Sequence, residues 1–315
     1  MRAAETKRIG DLLGDTVLDS RALAGGHSHE TWLLVLSQRS VVVRLGDADH
    51  ATEAAVMAAA EKHVPVPAVI TVLPAIPADE QLRSAMVLDH VAGTPLSHVL
   101  SDDSLSSTDF HRLGCEVGRV AATVGSVRFD RPGFFAGSDL AVSPMPPWSE
   151  QLPAFADQCM AATPETRLDL PTRTAWADLC TAHSPALTAV DHHARLVHSD
   201  LNPKNLLVTR ASQHWQVAAV LDWEFSYSGC PYADAANMAR FGRDYPEPFL
   251  DGFTDAFADH LPDDLAASAD FAYLGRVLDM FAMSDLVTRP PGHPVADRAA
   301  LQIRQWLATG VPTSL

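Results

Sequence analysis

The sequence has few cysteines, few basic residues and no long apolar runs, and each shortage excludes a class of protein. Its 315 residues include four cysteines, widely spaced and without a CxxC pair, so a secreted disulfide scaffold is not expected. We expect reduced, mostly buried thiols. Lys and Arg number 23 against 39 Asp and Glu, for a formal charge of -16. This charge opposes a nucleic-acid partner, because phosphate backbones are bound by clustered basic side chains.

No apolar stretch approaches the roughly 20 residues that a membrane-spanning helix needs. The charged start, MRAAETKRIGDLLGD, also lacks the apolar core of a signal peptide. We therefore expect a soluble, cytoplasmic protein with no membrane partner. The acidity would attract a cationic small substrate, although acidity that only maintains solubility is the commoner explanation.

The stretch LVHSDLNPKNLLVTRASQHWQVAAVLD, residues 196–222, is the most informative part of the chain. It places His198, Asp200 and Asn205 in the pattern HxDxxxxN, and Asp222 ends the second of two apolar runs. Phosphoryl transfer needs a carboxylate that orients and deprotonates the attacking hydroxyl, and oxygen ligands that hold Mg²⁺ on the nucleotide phosphates. Asp200 suits the first role, whereas Asn205 and Asp222 suit the second. A lone HxD is usually structural, so the combination carries the prediction.

Two short apolar runs between Arg21 and Leu45, joined by a polar turn, predict a β-hairpin. Gly25 and Gly26 at its entrance would let backbone amides approach a ligand, as a loop over nucleotide phosphates requires, although most Gly-Gly pairs are plain turns. Arg44 is the only basic residue in a run of Val and Leu, and Glu53 lies in the Ala-rich helical segment that follows. The two are candidates for a phosphate-binding ion pair; unconnected surface residues are the alternative.

Further β-rich runs at Ala68–Leu73 and Ala85–Val91 complete a small sheet with one helix on it. After Gly93 the apolar spacing becomes helical. We therefore predict an α+β fold of two domains, as the length also favours. Residues 1–92 would form an N-terminal nucleotide-binding lobe, and residues 93–315 a C-terminal catalytic and substrate-binding lobe.

The segment between residues 241 and 270 is acidic, with eight Asp or Glu against a single basic residue. Within it, three aspartates spaced by four residues would share one helical face, and three phenylalanines would share the opposite face. The aspartates are Asp251, Asp255 and Asp259, and the phenylalanines are Phe249, Phe253 and Phe257. The Phe stripe is expected in the core. The Asp stripe would face either solvent, which is the commoner outcome, or a cleft for a cationic acceptor.

The run HSDLNPKN, followed by VLDWEFSYSGCPYADAAN, resembles the aminoglycoside phosphotransferase and choline kinase-like family. These small-molecule kinases share the protein-kinase fold. GGHSHETW is similar to the family's nucleotide loop, VVVRL with Glu53 to its phosphate-binding pair, and AMVLDHVAG to its hinge. The resemblance implies a small N-terminal antiparallel sheet with one helix and a larger, mainly helical C-terminal lobe.

The resemblance also implies a role for each matching residue. Asp200 would be the catalytic base, His198 would support its loop, and Asn205 and Asp222 would bind Mg²⁺. The nucleotide would be bound by Gly25, Gly26, His27, Ser28, Arg44, Glu53, Leu88, Asp89 and Val91. The acceptor is expected to contact Asp200 and Glu224, and the acidic pattern described above, which lies beyond the resemblance, adds Asp251, Asp255 and Asp259 as candidates for the same contact.

Three matching positions need a further comment. Asp234 resembles a structural aspartate that ties the catalytic loop to the following helix. Arg44 stands where better-known members have Lys, and its planar fork changes how phosphates are contacted. His29 replaces the usual Asn of the nucleotide loop. None of these removes a group that the chemistry requires, so an active kinase is expected.

The function predicted from these observations is transfer of the γ-phosphate of ATP or GTP, with Mg²⁺, to a hydroxyl of a small and cationic molecule. An aminoglycoside or a basic peptide antibiotic, and hence a resistance role, fits best. A metabolic kinase acting on choline, homoserine, a sugar or an amino sugar is the alternative, and a non-catalytic nucleotide-binding regulatory module is the alternative of another class. A monomer or weak homodimer is expected.

Overall fold

The computed structural model describes residues 1–23, 30–46, 49–76, 83–212, 214–265, 268 and 270–315. The chain divides into two compact units. The first unit contains residues 1–102, 135–141 and 203–226, and the second contains residues 103–134, 142–202 and 227–315. The antiparallel sheet of the first unit and the many helices of the second confirm the predicted α+β class.

The first unit is built on a five-stranded antiparallel sheet with the strand order β1-β2-β3-β5-β4. Its strands are β1 (Val17–Ala22), β2 (Glu30–Leu36), β3 (Ser40–Leu45), β4 (Val69–Leu73) and β5 (Ala85–Asp89). Alternating Val and Leu side chains of the central strands form its core, with Leu34, Val41, Val43 and Val87 fully buried. Branched side chains pack well on a pleated surface, which is why these runs form strands.

Two helices accompany this sheet. The α2 helix (His50–Ala60) begins after Asp49, whose side chain accepts a hydrogen bond from the Thr52 amide at 3.1 Å, as a helix N-cap should. The α1 helix (Ala3–Leu13) contributes Ile9 to the core. Sequence reasoning found α2 but missed α1 and the edge strand β1.

The first unit also contains a second, three-stranded sheet. The short β6 (Thr94–Pro95) pairs with β9 (Leu206–Ala211), and β9 pairs with β10 (His214–Val220), all antiparallel. The short α3 helix (Leu96–Val99) follows β6. The β9–β10 hairpin is the strand pair predicted after the HxDxxxxN motif.

The second unit is mainly helical. Its helices are α4 (Ser107–Val124), α5 (Trp148–Ala162), α6 (Leu170–His183), α7 (Tyr232–Ala239), α8 (Glu247–His260), α9 (Phe271–Leu286) and α10 (Pro294–Thr309). A small antiparallel sheet of β7 (Gly133–Phe134), β11 (Tyr227–Gly229) and β8 (Arg195–Val197) lies among them. A capping box of Ser106 and Asp109 starts α4 where the sequence predicted a helix.

Glycines allow α4 and α8 to approach closely. A Cβ atom at Gly114 would collide with the Phe249 carbonyl, and one at Gly118 with the Phe253 carbonyl. Gly252 on α8 lies equally close to the α4 backbone. The phenylalanine stripe of α8 is completely buried, as predicted.

The cysteines agree with the sequence prediction. Cys159, Cys180 and Cys230 are buried, Cys115 is half-buried, and all four are free thiols. Burial raises the pKa of each, so they are poor nucleophiles. In the described part of the chain, no helix has the length and apolarity that crossing a membrane requires.

Candidate active site

Arg44 and Glu53 form a buried ion pair in the first unit. Strand β3 places Arg44 among apolar neighbours, and the first turn of α2 places Glu53 opposite it. The Arg44 guanidinium donates to Glu53 Oε1, and the two side chains are 9% and 2% exposed. Such burial requires close pairing, because an isolated charge in a protein interior is strongly disfavoured.

Arg44 also contacts two acidic residues from the segment after β10. Its Nη2 donates to Asp222 Oδ1 at 2.8 Å and lies 3.9 Å from Glu224 Oε2. Glu53 Oε1 in turn accepts a hydrogen bond from the Trp223 amide at 3.2 Å. One guanidinium therefore faces three carboxylates, and the cluster carries an excess of negative charge.

The β9–β10 hairpin brings Asn205 and Asp222 to the same end of its ladder. Leu206 pairs with Val220, and beyond that pair the Leu221 amide donates to the Asn205 carbonyl at 2.8 Å. Asp222 itself has a φ of 66°, a left-handed conformation that is uncommon outside glycine. The hairpin thus brings the backbones of Asn205 and Asp222 to the same end of its ladder.

The loop after β8 carries His198 and Asp200 in the second unit. His198 is completely buried, and its Nδ1 accepts a hydrogen bond from the Asp200 amide at 3.2 Å. In neutral His198 the ring proton is therefore on Nε2. The Asn202 amide group donates to Asp200 Oδ1 at 2.9 Å and to the Asp200 carbonyl at 3.1 Å. Sequence reasoning missed Asn202.

Two side chains of α7 hold this loop. The fully buried Asp234 accepts hydrogen bonds from the amides of His198 and Ser199, both at 2.8 Å. Burial raises the pKa of the Asp234 carboxyl to about 7, although these two amide bonds lower it. Asn237 donates to the Ser199 carbonyl at 2.8 Å. The family resemblance pointed to Asp234 as the tie between loop and helix, but Asn237 was missed.

The expected nucleotide-binding residues are only partly described. Gly25, Gly26, His27 and Ser28 lie outside the described residues, as does His29. Leu88 is buried in β5, Asp89 ends that strand half-buried, and Val91 follows two residues later. The Asp89 carboxylate lies 3.4 Å from Arg39. The roles of these residues in nucleotide binding stay predictions.

The three aspartates of α8 are exposed. Asp251, Asp255 and Asp259 lie on the helix face opposite the buried phenylalanines, in the second unit. Both expectations for this stripe, a solvated face and an acceptor cleft, require exposure. Glu224, the other acidic residue expected near the acceptor, lies beside Arg44 in the first unit with a side chain 12% exposed, and its contact with the acceptor stays a prediction.

The chain was compared with known protein families, with curated sequences and with solved structures. The model of the phosphotransferase enzyme family, APH, matches residues 19–271 of the chain. No curated protein sequence matches the chain significantly.

Three solved structures illustrate the similarity of fold. A ternary complex of a thermostable mutant of aminoglycoside phosphotransferase APH(4)-Ia with ADP and hygromycin B has a TM-score of 0.71 at 18% identity, over 98% of this chain and 100% of that chain. The GDP complex of a mutant aminoglycoside 2'-phosphotransferase-IIIa has a TM-score of 0.66 at 14% identity, with 98% and 95% covered. A putative fructosamine-3-kinase from Haemophilus somnus 129PT has a TM-score of 0.58 at 13% identity, with 95% and 96% covered. These similarities confirm the predicted fold.

Proposed function

Because the chain belongs to the phosphotransferase enzyme family and is thus a phosphotransferase with a hydroxyl acceptor, we propose that it transfers the γ-phosphate of ATP or GTP to a small cationic molecule. The observation that carries this proposal is the hydrogen-bonded loop of Asp200. A base must be held in place to deprotonate a hydroxyl, and this loop is fixed from several sides. Asp200 takes the hydroxyl proton, and His198 supports the loop from within.

The residues expected to hold Mg²⁺ fit a hard cation. Asn205 and Asp222 supply oxygen atoms at one end of the hairpin, and the carboxylates around Arg44 outnumber its single positive charge. Nucleotide phosphates would supply further oxygen ligands to the ion. Bound Mg²⁺ would offset the phosphate charge as it shifts during transfer.

The nucleotide is assigned to the N-terminal sheet. Arg44, held by Glu53, contacts its phosphates, together with the loop of Gly25, Gly26, His27 and Ser28. The Asp89 carbonyl and the Val91 amide bind the adenine or guanine edge, next to Leu88. The related structures contain ADP in one case and GDP in another, so both nucleotides belong in the test.

The acceptor is proposed to be cationic, with an aminoglycoside or a basic peptide antibiotic as the leading class and resistance as the biological role. The net charge of -16 and the exposed aspartates of α8 support this, because carboxylates pair with ammonium groups. Two structurally similar proteins are aminoglycoside phosphotransferases, one of them bound to hygromycin B, and they point the same way.

A metabolic acceptor is the second candidate. The similarity to a putative fructosamine-3-kinase over 95% of this chain favours an amino-sugar or sugar-amine substrate. Choline, homoserine and simple sugars belong to the same group of acceptors.

The test is a transfer assay with Mg·ATP and Mg·GTP against both groups of acceptors. The panel contains hygromycin B, other aminoglycosides, basic peptide antibiotics, choline, homoserine, fructosamines and amino sugars, with phosphorylated products identified by mass spectrometry. Transfer to a cationic antibiotic, with a raised inhibitory concentration in a host that expresses the protein, supports the leading class. Transfer to metabolic acceptors alone supports the second candidate, and no transfer to any acceptor contradicts the proposal.

The acidic stripe has its own matched test. Changing Asp251, Asp255 and Asp259 together to Ala should raise the acceptor KM about tenfold or more if they pair with the acceptor, by analogy with charge pairs at interfaces. The control changes the exposed Glu61, Glu165 and Asp178 to Ala, for the same loss of charge. Equal KM values in the two triple variants would show that the α8 stripe is only solvated.

A further inference from the structure

Ser199, between His198 and Asp200, has an unusual backbone conformation. Its φ is 69°, in the left-handed region that costs an L-residue about 1–2 kcal/mol. A residue keeps such a conformation only where its surroundings impose it. Because the next residue is Asp200, the conformation of Ser199 sets the direction in which the Asp200 backbone continues.

Two α7 side chains impose this conformation. The Ser199 amide donates to Asp234 Oδ1 at 2.8 Å, and the Ser199 carbonyl accepts from Asn237 Nδ2 at 2.8 Å. Asp234 and Asn237 are three residues apart on the helix, so they lie on one face. Both backbone polar groups of Ser199 are thus bound by a single helix.

The hydrogen bonds of the Asn237 side chain indicate why an asparagine occupies this position. Only its NH₂ group can donate to a carbonyl, so the hydrogen bond to Ser199 fixes the orientation of the amide. The residue is 5% exposed, and its Oδ1 has no hydrogen-bond partner in the described part of the chain. An unpaired buried acceptor is destabilising, and an apolar side chain would avoid this. Stability alone therefore does not account for an asparagine here, whereas the bond to Ser199 does.

We propose that Asn237 is a positioning residue for phosphoryl transfer, which acts by holding Ser199 in the left-handed conformation that directs Asp200. The proposal rests on the function proposed above. Asn237 touches neither reactant in this role, so its loss affects the chemical step more than the binding of nucleotide or acceptor.

The test is a double-mutant cycle of Asn237→Leu and Ser199→Gly. Asn237→Leu removes the donor while keeping a similar volume, and should lower kcat about tenfold, as small misplacements of a catalytic group do, with both KM values within about twofold. Glycine adopts the left-handed conformation without strain, so Ser199→Gly should restore much of the kcat that Asn237→Leu loses. The cycle compares the kcat loss caused by Asn237→Leu in the wild type with the loss that it causes in the Ser199→Gly variant, and the difference is the coupling between the two residues.

Thr163→Val is the matched control. Thr163 is also buried in the second unit, and its hydroxyl donates to the Cys159 carbonyl at 2.8 Å. Its substitution removes the same kind of bond elsewhere, and kcat should stay unchanged. A kcat loss in Asn237→Leu no greater than in this control, or a loss that Ser199→Gly does not reduce, overturns the proposal.

Amide hydrogen exchange separates this inference from the function on which it rests. In Asn237→Leu, the amides of residues 198–202 should exchange faster while those of α5 and α10 do not change. Unchanged exchange in residues 198–202 overturns the inference whatever the activity. A wild-type protein that phosphorylates no acceptor overturns the proposed function instead.

Discussion

Charged side chains lie around Asp222 in the first unit, whereas the backbone of the Asp200 loop in the second is held by hydrogen bonds to the Asp234 and Asn237 side chains. Asp222 is approached by Arg44, which also pairs with Glu53. The Asp200 loop is bound through the backbone of His198 and Ser199 by α7. Each loop includes a non-glycine residue at positive φ, Asp222 at 66° and Ser199 at 69°.

The difference follows from what each aspartate is proposed to do. A carboxylate that binds Mg²⁺ together with nucleotide phosphates needs charged neighbours, because the charge of the site changes when Mg²⁺ and nucleotide bind. A base that must meet one hydroxyl benefits from fixed geometry, which short directional hydrogen bonds provide. Charge and geometry are therefore separate requirements, and substitutions can address each of them.

The largest effect is expected from Glu53→Ala. This change removes the carboxylate that is buried with Arg44 and that also accepts the Trp223 amide bond, and loss of one partner of a buried pair destabilises a protein by about 3 kcal/mol or more. The measurement is the free energy of unfolding in urea. Glu53→Gln keeps the shape and removes only the charge, so it should lose less. A loss below about 1 kcal/mol in Glu53→Ala would mean that the buried Arg44–Glu53 pair contributes no more to stability than an exposed ion pair.

Asp200→Asn should lower turnover by about two orders of magnitude, because the amide cannot accept the hydroxyl proton. Asn keeps the size of the side chain, so the fold should be intact by circular dichroism. Asp178→Asn, an exposed change on α6, is the control and should leave turnover unchanged. Wild-type turnover in Asp200→Asn would remove this residue from its proposed role.

Asp222→Ala tests the charged site directly. Calorimetry should show loss of Mg²⁺-dependent nucleotide binding, with affinity reduced about tenfold or more, as when a group that supports a metal site is removed. Nucleotide binding without Mg²⁺ should change much less. Wild-type affinity for Mg·ATP and Mg·GTP in this variant would defeat the assignment of Asp222 as a metal ligand.

The pH dependence of stability tests the Asp234 anchor in the second unit. Burial raises the pKa of this carboxyl from 3.8 to about 7, so the folded protein holds the proton more tightly than the unfolded chain. The resulting contribution to stability is complete below the unfolded pKa and is lost as the pH rises through the folded pKa. The free energy of unfolding of the wild type and of Asp234→Asn should be measured at several pH values. Between about pH 4 and pH 7, that of the wild type should fall relative to that of the variant. Parallel curves would contradict this.

The smallest effect is expected from Arg39→Ala. Arg39 and Asp89 form an ion pair at 3.4 Å in the first unit, but both side chains are about half exposed. Exposed pairs contribute about 0–1 kcal/mol, so urea unfolding should barely change. A loss as large as that of Glu53→Ala would show that burial is not what distinguishes the Arg44 cluster.

Local sequence signals predicted much of the fold. Composition identified the Val and Leu runs of β2 and β3 and the Ala-rich α2, and the spacing of apolar residues identified α4. These signals are local, and the backbone in each segment adopts the structure that they predict. The edge strand β1 is mostly exposed, so it lacks the apolar alternation on which such reasoning depends, and α1 is short and rich in charge, so its few apolar residues did not stand out. Both were therefore missed.

The sequence allowed candidate site residues to be named, but not the contacts that they make. The HxDxxxxN motif identified His198, Asp200 and Asn205 from their spacing, because loop chemistry is local. The contact between Arg44 and Asp222 joins residues 178 positions apart, and nothing in the chain signals which acid an arginine will reach. Asn237 was missed because its partner is a backbone carbonyl. Every residue has one, so residue types do not reveal this contact.

The two faces of α8 are subject to different packing constraints. Its glycine and phenylalanine face admits almost no substitution, since an added Cβ at Gly252 would strike α4. Its aspartate face carries no packing duty, so charges there can be exchanged one at a time without cost to folding. If these aspartates contact the acceptor as proposed above, acceptor preference can change through substitutions that leave the buried face of α8 intact, and random mutagenesis of the three aspartates would test for altered selectivity.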